Sequence, residues 1–161
     1  MVNNTHMDRE PDIVRLANRI AAEGHAGQVD KSGVDYIRHP CRVAASLARY
    51  GPSYEAAGLL HDVLEDTLYT AEDLAAMGVP ADVIEAVQLV TRRDDETYRE
   101  FVERTLASRN VMALRLKLAD LHDNMRAGVP EGMKQKRYVP VIATIEQLLA
   151  QMINPVGGHL T

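Results

Sequence analysis

The segment GLLHDVLEDT, residues 58–67, places four ionisable side chains within an otherwise apolar stretch: His61, Asp62, Glu65 and Asp66. Burying charge is costly unless the charged group is paired or binds a metal. On a helix, His61 lies one turn from Glu65 and Asp62 lies one turn from Asp66, so each pair shares an edge. Neighbouring residues point about 100° apart, which allows His61 and Asp62 to reach one ion. The segment therefore predicts a buried helix that carries a metal-binding or proton-transferring site.

The composition is that of a single globular domain with an aliphatic core. The chain has 161 residues, of which 46% are hydrophobic and 25% charged, with no Trp and one Phe. This length suits one domain, and we expect it to span residues 1–161 with a core over about 12–153. No strand-like alternation persists along the chain, so the predicted fold is all-α and compact.

Apolar residues recur at helical spacing through most of the chain and predict about seven or eight helices. Residues 25–40 lack this period and are predicted to form a loop, in which Pro40 biases His39 toward an extended conformation. The predicted helices are one around Ile13–Ile20, one over about 41–49, one over about 53–66, a short one capped by Thr70, one opened by Pro80, one over 97–108, one from Val111 to Met125 that Gly128 and Pro130 stop, and one over Tyr138–Met152.

Charge and cysteine content limit the classes of partner. The formal charge of −5 argues against a nucleic-acid polymer as partner, although a small basic pocket for a phosphorylated metabolite remains compatible with it. A single cysteine excludes an intramolecular disulfide and fits a reducing compartment. The first residues lack the apolar run of a signal peptide, and no stretch approaches a membrane span. We expect a cytoplasmic protein, and an apolar helix face could support a homodimer.

Two further segments supply side chains suited to the same ion. LKLADLHDN places Asp120 on an apolar helix, and His39 stands in YIRHP just before a helix. With His61 and Asp62 these residues make two imidazoles and two carboxylates. Such a set without thiolate favours a single divalent ion such as Mn, Fe, Co or Zn over a structural zinc site.

The predicted ion would leave coordination positions for chemistry. Four protein ligands on an octahedral ion leave two positions, one for a water and one for a phosphate oxygen. Glu65 and Asp66 could then position or deprotonate the water, or protonate the leaving group.

Each of these residues also has a simpler explanation when taken singly. His39 could be a loop or capping histidine, Asp120 could cap a helix or pair with Lys117, and Glu65 with Asp66 could be a solvated helix end. Arg92 and Arg93 could steer phosphates or pair with the acidic residues at 94–96 of the same turn. Tyr36 and Tyr98 are interpreted as packing residues whose hydroxyls find partners.

Four stretches occur in the order seen in HD-domain hydrolases of the RelA/SpoT type: HAGQVDKSGVDYIRHPCRVA, AAGLLHDVLEDT, VTRRDDETYREFV and LRLKLADLHDN. The chain resembles this family, including its stand-alone small alarmone hydrolases, from about residue 12 to 150. The resemblance implies a helical HD domain that removes the 3′-pyrophosphate from the alarmone ppGpp, or its pentaphosphate form, in the stringent response. It also assigns roles to nine residues: the metal ligands, usually for manganese, are His39, His61, Asp62 and Asp120; the catalytic acids are Glu65 and Asp66; and the substrate contacts are Asn124, Lys31 and Ser32.

The loop departs from the family pattern at two positions. Asp30 stands where similar alarmone hydrolases usually have Arg, and Asp35 stands where they commonly have Pro. An Arg plane can stack on a base, whereas an Asp cannot and adds negative charge beside an anionic nucleotide. Two alternatives therefore stay open: a phosphatase or nucleotidase that acts on another nucleotide with the same metal, and a nucleotide-binding sensor without turnover.

Overall fold

The computed structural model describes residues 11–126 and 129–154, and these residues form helices joined by short turns. The α-helices are α1 Asp12–Gly24, α2 Arg38–Leu47, α3 Pro52–Leu60, α4 Val63–Asp66, α5 Ala71–Ala76, α6 Ala81–Val90, α7 Tyr98–Ala107, α8 Val111–Asn124, α9 Glu131–Met133 and α10 Val139–Ile153. A 3₁₀ turn covers Ala48–Tyr50 and a π-helical turn covers Lys134–Tyr138. Within the described ranges the β-pairing outside helices is one isolated bridge, between Val29 and Asp35.

The predicted all-α class is confirmed. Eight of the helices have six or more residues, while α4 and α9 are single turns of four and three residues. None of the helices in residues 11–126 and 129–154 is long and apolar enough to cross a membrane. Gly128, predicted to stop the helix that ends near Met125, lies outside the described residues.

The core is aliphatic and forms two groups of buried side chains. The larger group joins α1, α2, α3, α6 and the first half of α8. The smaller group lies between α8 and α10 and consists of Leu114, Leu121, Ile142, Ile145 and Leu149. Since α8 contributes to both groups, its side chains are fixed from two directions, which positions the polar residues that the same helix carries.

Helices α2 and α3 pack closely at Gly58. A Cβ atom at Gly58 would lie 2.6 Å from the Cα atom and 2.8 Å from the backbone nitrogen of Ala44. Only glycine permits this approach, because backbone atoms cannot rotate away as a side chain can. The crossing brings the first turn of α2, with His39, alongside the end of α3, which leads into His61.

The predicted continuous helix over about 53–66 is wrong, because the chain breaks at His61 and Asp62 between α3 and α4. His61 Nδ1 lies 2.8 Å from the carbonyl oxygen of Gly58. In an uninterrupted helix that oxygen would accept the backbone N–H of residue 62. The imidazole takes the place of that backbone donor, so the break and the orientation of the ring have one cause.

Two other local expectations are corrected. His39 lies in the first turn of α2 and is not extended. Pro40 is tolerated there because N–H groups in the first turn of a helix have no intrahelical acceptor. The sequence-based helix boundaries also missed the π-helical turn Lys134–Tyr138 before α10.

The predicted cap at Thr70 is confirmed, since Thr70 and Asp73 bond reciprocally at the start of α5.

We expect Gly58→Ala to lower the free energy of unfolding by about 1–3 kcal/mol, because the added methyl group must push two helix backbones apart. Gly132→Ala is the matched control, since a Cβ there meets nothing within 4 Å. Its stability should stay within about 1 kcal/mol of the parent. Urea unfolding followed by circular dichroism measures both variants. Equal stabilities for the two would contradict the close packing of α2 on α3.

Candidate metal centre

Three parts of the chain bring four ligand-type side chains together: His39 from the first turn of α2, His61 and Asp62 from the α3–α4 break, and Asp120 from α8. His39 Nε2 lies 3.1 Å from His61 Nε2 and 3.3 Å from Asp120 Oδ1. His61 Nε2 lies 2.9 Å from Asp62 Oδ2 and 3.7 Å from Asp120 Oδ1. Residues far apart in sequence thus converge on one point.

Hydrogen bonds on the far side of each imidazole fix which nitrogen faces this point. Gly58 O can only accept a hydrogen bond, so His61 Nδ1 carries the proton that it donates. His39 Nδ1 lies 2.7 Å from Asp123 Oδ2. The Asp123 carboxylate is also held by Arg42, whose Nε and Nη2 each donate at 2.8 Å. Both histidines therefore direct an Nε2 lone pair toward the centre, as metal-ligating histidines do.

The two carboxylates are oriented by donors around the centre. Asp62 Oδ2 accepts from the Tyr36 hydroxyl at 2.6 Å. Asp120 Oδ2 accepts from Lys117 Nζ at 2.9 Å, and its Oδ1 accepts from Asn124 Nδ2 at 2.8 Å. Burial by itself would raise the pKa of Asp120, but the charge of the neighbouring Lys117 ammonium helps to hold that pKa well below its usual value. Asp120 is therefore ionised.

The donor set fits a divalent metal ion. Ligand atoms bound to one ion at about 2.1 Å lie roughly 3 Å apart when they subtend a right angle. The atoms of His39, His61 and Asp120 lie within 4.8 Å of one another, and Asp62 Oδ2 is 2.9 and 3.5 Å from the two imidazole nitrogens. With neutral imidazoles these atoms all offer lone pairs, so one divalent cation could bind all four.

Glu65 and Asp66 lie in the single turn α4, directly after the break. Partial loss of hydration raises the pKa of Glu65, and the Asp62 and Asp66 carboxylates raise it further. Partial loss of hydration and Asp62 likewise raise the pKa of Asp66. Carboxyl groups with raised pKa values exchange protons more readily near neutral pH. Both residues are solvent-exposed, so a substrate could reach them.

The loop before α2 is held by Asp30, at the position that departs from the family pattern. Its Oδ1 accepts from the backbone N–H of Ser32 at 2.8 Å and of Val34 at 3.0 Å. These backbone hydrogen bonds lower the pKa of Asp30. Gly33 completes the turn with a φ of 76°. Lys31 and Ser32 are exposed on this loop, and among the described residues no side-chain hydrogen bond or ion pair joins them to His39, His61, Asp62 or Asp120.

Four residues around the centre were not assigned to the site from sequence. Tyr36 and Lys117 bond the carboxylates, Asp123 bonds His39, and Arg42 bonds Asp123. The signal for Asp123 was its place three residues after Asp120, on a neighbouring stripe of the same helix. Tyr36 carried no comparable signal, because its partner lies 26 positions along the chain.

The expectation of a partnered hydroxyl is confirmed for Tyr36 and wrong for Tyr98. The Tyr98 hydroxyl oxygen is buried without a hydrogen-bond partner among the described residues. Its ring instead stacks with Arg137, whose Cζ lies 3.7 Å from the ring centroid.

The turn before α7 is also built differently from expectation. Arg104 donates to the Glu96 carboxylate at 2.5 and 2.9 Å and is its main partner. Arg92 Nε donates to the backbone carbonyl of Glu96.

Comparisons with known proteins agree on one family. Residues 17–150 match the family described as the HD domain. A guanosine-3′,5′-bis(diphosphate) 3′-pyrophosphohydrolase of Haemophilus influenzae is 40% identical over 118 residues, which cover 66% of this chain and 17% of that protein. The protein of the same name in Vibrio cholerae is 37% identical over 164 residues, covering 93% of this chain and 23% of that protein. The chain thus spans less than a quarter of the length of these curated relatives.

A solved structure has the same fold. It is the structure of a protein described as a metazoan ortholog of SpoT that hydrolyzes ppGpp. The two structures superpose with a TM-score of 0.68 at 23% identity, and the match covers 91% of this chain and 97% of the other. The match over residues 17–150 shows that the chain belongs to the HD domain family.

Proposed function

We propose that this chain is a metal-dependent phosphohydrolase that removes the 3′-pyrophosphate from guanosine 3′,5′-bis(diphosphate). The observation that carries the proposal is the convergence of His39, His61 and Asp120 on one point, with Asp62 beside them. The names of the Haemophilus and Vibrio relatives support the choice of substrate. Since this chain spans only part of those proteins, the substrate is an inference and needs its own test.

His39, His61, Asp62 and Asp120 would hold one divalent ion, and we infer manganese, with iron, cobalt or zinc as alternatives. The oxygen-containing, thiolate-free ligand set supports this choice. When bound, the ion supplies charge neutralisation at phosphate and a lower pKa for a bound water. Asp123 and Tyr36 orient the ligands from outside, and the Lys117 ammonium keeps Asp120 ionised.

Glu65 and Asp66 handle the proton in the proposed reaction. Hydrolysis forms a bond between a water oxygen and the phosphorus attached to the 3′-oxygen, and breaks the bond from that phosphorus to the 3′-oxygen, so that intact pyrophosphate leaves. One carboxylate accepts the proton that the water loses, and a protonated carboxyl supplies the proton that the 3′-oxygen gains. The raised pKa values of both groups, caused by partial loss of hydration and by neighbouring carboxylates, make them better proton acceptors and donors than ordinary surface carboxyl groups.

Asn124, Lys31 and Ser32 are the proposed substrate contacts. The Asn124 amide nitrogen donates to Asp120 Oδ1. The amide oxygen of Asn124 would then accept a hydrogen bond from the substrate. Lys31 offers an exposed cation on the loop before α2. Asp30 is engaged by two backbone N–H groups, so its carboxylate acts as a turn-forming group and does not replace the function of an Arg.

One observation favours a second candidate function, hydrolysis of another nucleotide by the same centre. Asp30 removes a guanidinium that could stack on the base, and its charge is retained in the folded loop. A sensor without turnover is less compatible with the sequence, because such a protein has no need for Glu65 and Asp66.

We further infer a cytoplasmic location, consistent with the single cysteine. A homodimer stays a prediction.

The function is tested by assaying the manganese-loaded protein against a nucleotide panel. We expect pyrophosphate release from guanosine 3′,5′-bis(diphosphate), and we expect Asp120→Ala to lose the metal and at least about 100-fold in rate, because a ligand is removed. Asp95→Ala is the matched control, since Asp95 is exposed on the turn before α7. Orthophosphate release from other nucleotides would favour the second candidate, and tight binding without any product would favour the sensor.

Asp123→Asn tests the outer support of His39. The amide keeps the size of the side chain but weakens the hydrogen bond from His39 Nδ1 and the pairing with Arg42. We expect manganese affinity to fall by about 10–100-fold, the range for loss of such a partner. Competition titration with a chelating dye measures the affinity. Parent-like binding by Asp123→Asn would show that His39 needs no carboxylate behind it.

Glu65→Gln separates metal binding from proton transfer. We expect the variant to keep its manganese and to lose about 10²–10⁴-fold in kcat, since the amide cannot exchange a proton. Metal content is measured by elemental analysis and kcat by pyrophosphate release. Glu72→Gln, on exposed α5, is the matched control. A Glu65→Gln variant that turns over at the parent rate would contradict the assigned role.

A further inference from the structure

A second polar region lies on the other side of Asp123 from the metal centre. It is a cavity of about 420 Å³ between α2, the 3₁₀ turn, α8 and α10, and none of the four candidate metal ligands lines it. Four guanidinium groups and two carboxylates lie in its wall: Arg42, Arg49, Arg115, Arg126, Asp123 and Glu146. The cavity is therefore basic, although the chain as a whole carries a formal charge of −5.

The two ends of the cavity differ in how their guanidinium groups are satisfied. At one end Arg42 and Arg126 both bond Asp123, at 2.8 and 3.5 Å. At the other end Arg49 and Arg115 make no ion pair and no side-chain hydrogen bond to any residue that the structure describes. The positive charge at this second end is available to an outside ligand.

The free end is organised around one aromatic ring. The Arg115 Cζ atom lies 3.9 Å from the centroid of Tyr50, and the Arg49 Cζ atom lies 4.9 Å from the same centroid. Arg115 is half-buried, so its stacked N–H donors are partly withdrawn from water. Two like charges against one ring repel, and an anion that accepts from both would remove the repulsion. A phosphate group has the oxygens and the geometry to bond two guanidinium groups.

Between the two ends the wall contains three leucines beside the polar side chains of Ser46, His122 and Glu146. Leu47, Leu118 and Leu149 line it, and Leu47 and Leu149 are buried core residues. Arg115 and Asp123 are eight positions apart on α8, so the ends are separated by about 12 Å. The volume lies within the range of sites for small ligands. A ligand that fills it has an anionic group at one end and a less polar body that rests on the leucines.

We propose that this cavity binds a phosphorylated metabolite of nucleotide size, with its phosphate on Arg49 and Arg115 and its base or sugar on Leu118 and Leu149. The site is separate from the candidate metal centre and requires no metal. It does not depend on the proposed hydrolase activity.

Isothermal titration of the full chain with GDP and with inorganic pyrophosphate, in the presence of EDTA, tests the proposal. We expect the parent to bind GDP at one site per chain, and Arg115→Gln to bind it at least about tenfold more weakly, because a charge-assisted hydrogen bond is lost. Arg99→Gln is the matched control, since the Arg99 side chain is 86% exposed and pairs with Glu103 on α7. It should bind as the parent does.

A His61→Ala variant identifies which site is being measured, because it disables the candidate metal centre and leaves the cavity intact. It should bind GDP like the parent. Parent-like binding by Arg115→Gln, equal weakening in Arg99→Gln, loss of binding in His61→Ala, or no binding of either probe to the parent would each overturn the proposal. If circular dichroism shows that Arg115→Gln is unfolded, Arg49→Gln replaces it with the same expected result.

Discussion

The close approach of four ligand-type atoms, two imidazole nitrogens and two carboxylate oxygens, is the constraint on which this structure depends. Two imidazole nitrogens and two carboxylate oxygens lie 2.9–3.7 Å apart in the pairs that face the centre. Arrangements of this kind are unfavourable in a low-dielectric interior without a positive charge among them. Lys117 compensates only Asp120, from the outer side. A divalent cation at the centre is a partner that all four atoms can bind together.

The helices are arranged so that this close approach is maintained. Gly58 allows α2 and α3 to approach within backbone contact, and its carbonyl oxygen then accepts the His61 imidazole N–H. One residue thus sets both the separation of two helices and the direction of a ligand. On the opposite side, Asp123 holds His39 while α8 is fixed between two groups of core side chains. Each candidate ligand therefore lies on or next to a helix that packs into the core, which favours one arrangement of the centre.

Much of the fold and the ligand set could be predicted from sequence, since both depend on local patterns. The helical period of apolar residues identified the helices, and burial cost explained why His61, Asp62 and Asp120 stand on apolar segments. The break at His61 could not be predicted, because it arises from a side chain that replaces a backbone donor within an otherwise helical pattern. Tyr36 and Arg42 were missed because their roles come from contacts across 26 and 81 positions of the chain, which no local spacing encodes.

The two polar regions differ in their balance of charge, and we therefore expect ligand binding to depend on a metal ion at one region and not at the other. Around the candidate metal centre, the carboxyl groups of Asp62, Glu65, Asp66 and Asp120 outnumber the one buried ammonium of Lys117, so a bound divalent ion would favour the approach of an anionic nucleotide. Under the proposed function we therefore expect nucleotide affinity at that site to be linked to metal occupancy, and by reciprocity we expect the nucleotide to tighten metal binding. The cavity beyond Asp123 has the opposite balance, because Arg49 and Arg115 carry their charge without any metal. Two nucleotide-sized sites on one small domain would then be distinguished by their dependence on the ion, and the same chain could bind a phosphorylated ligand whether or not its centre is loaded.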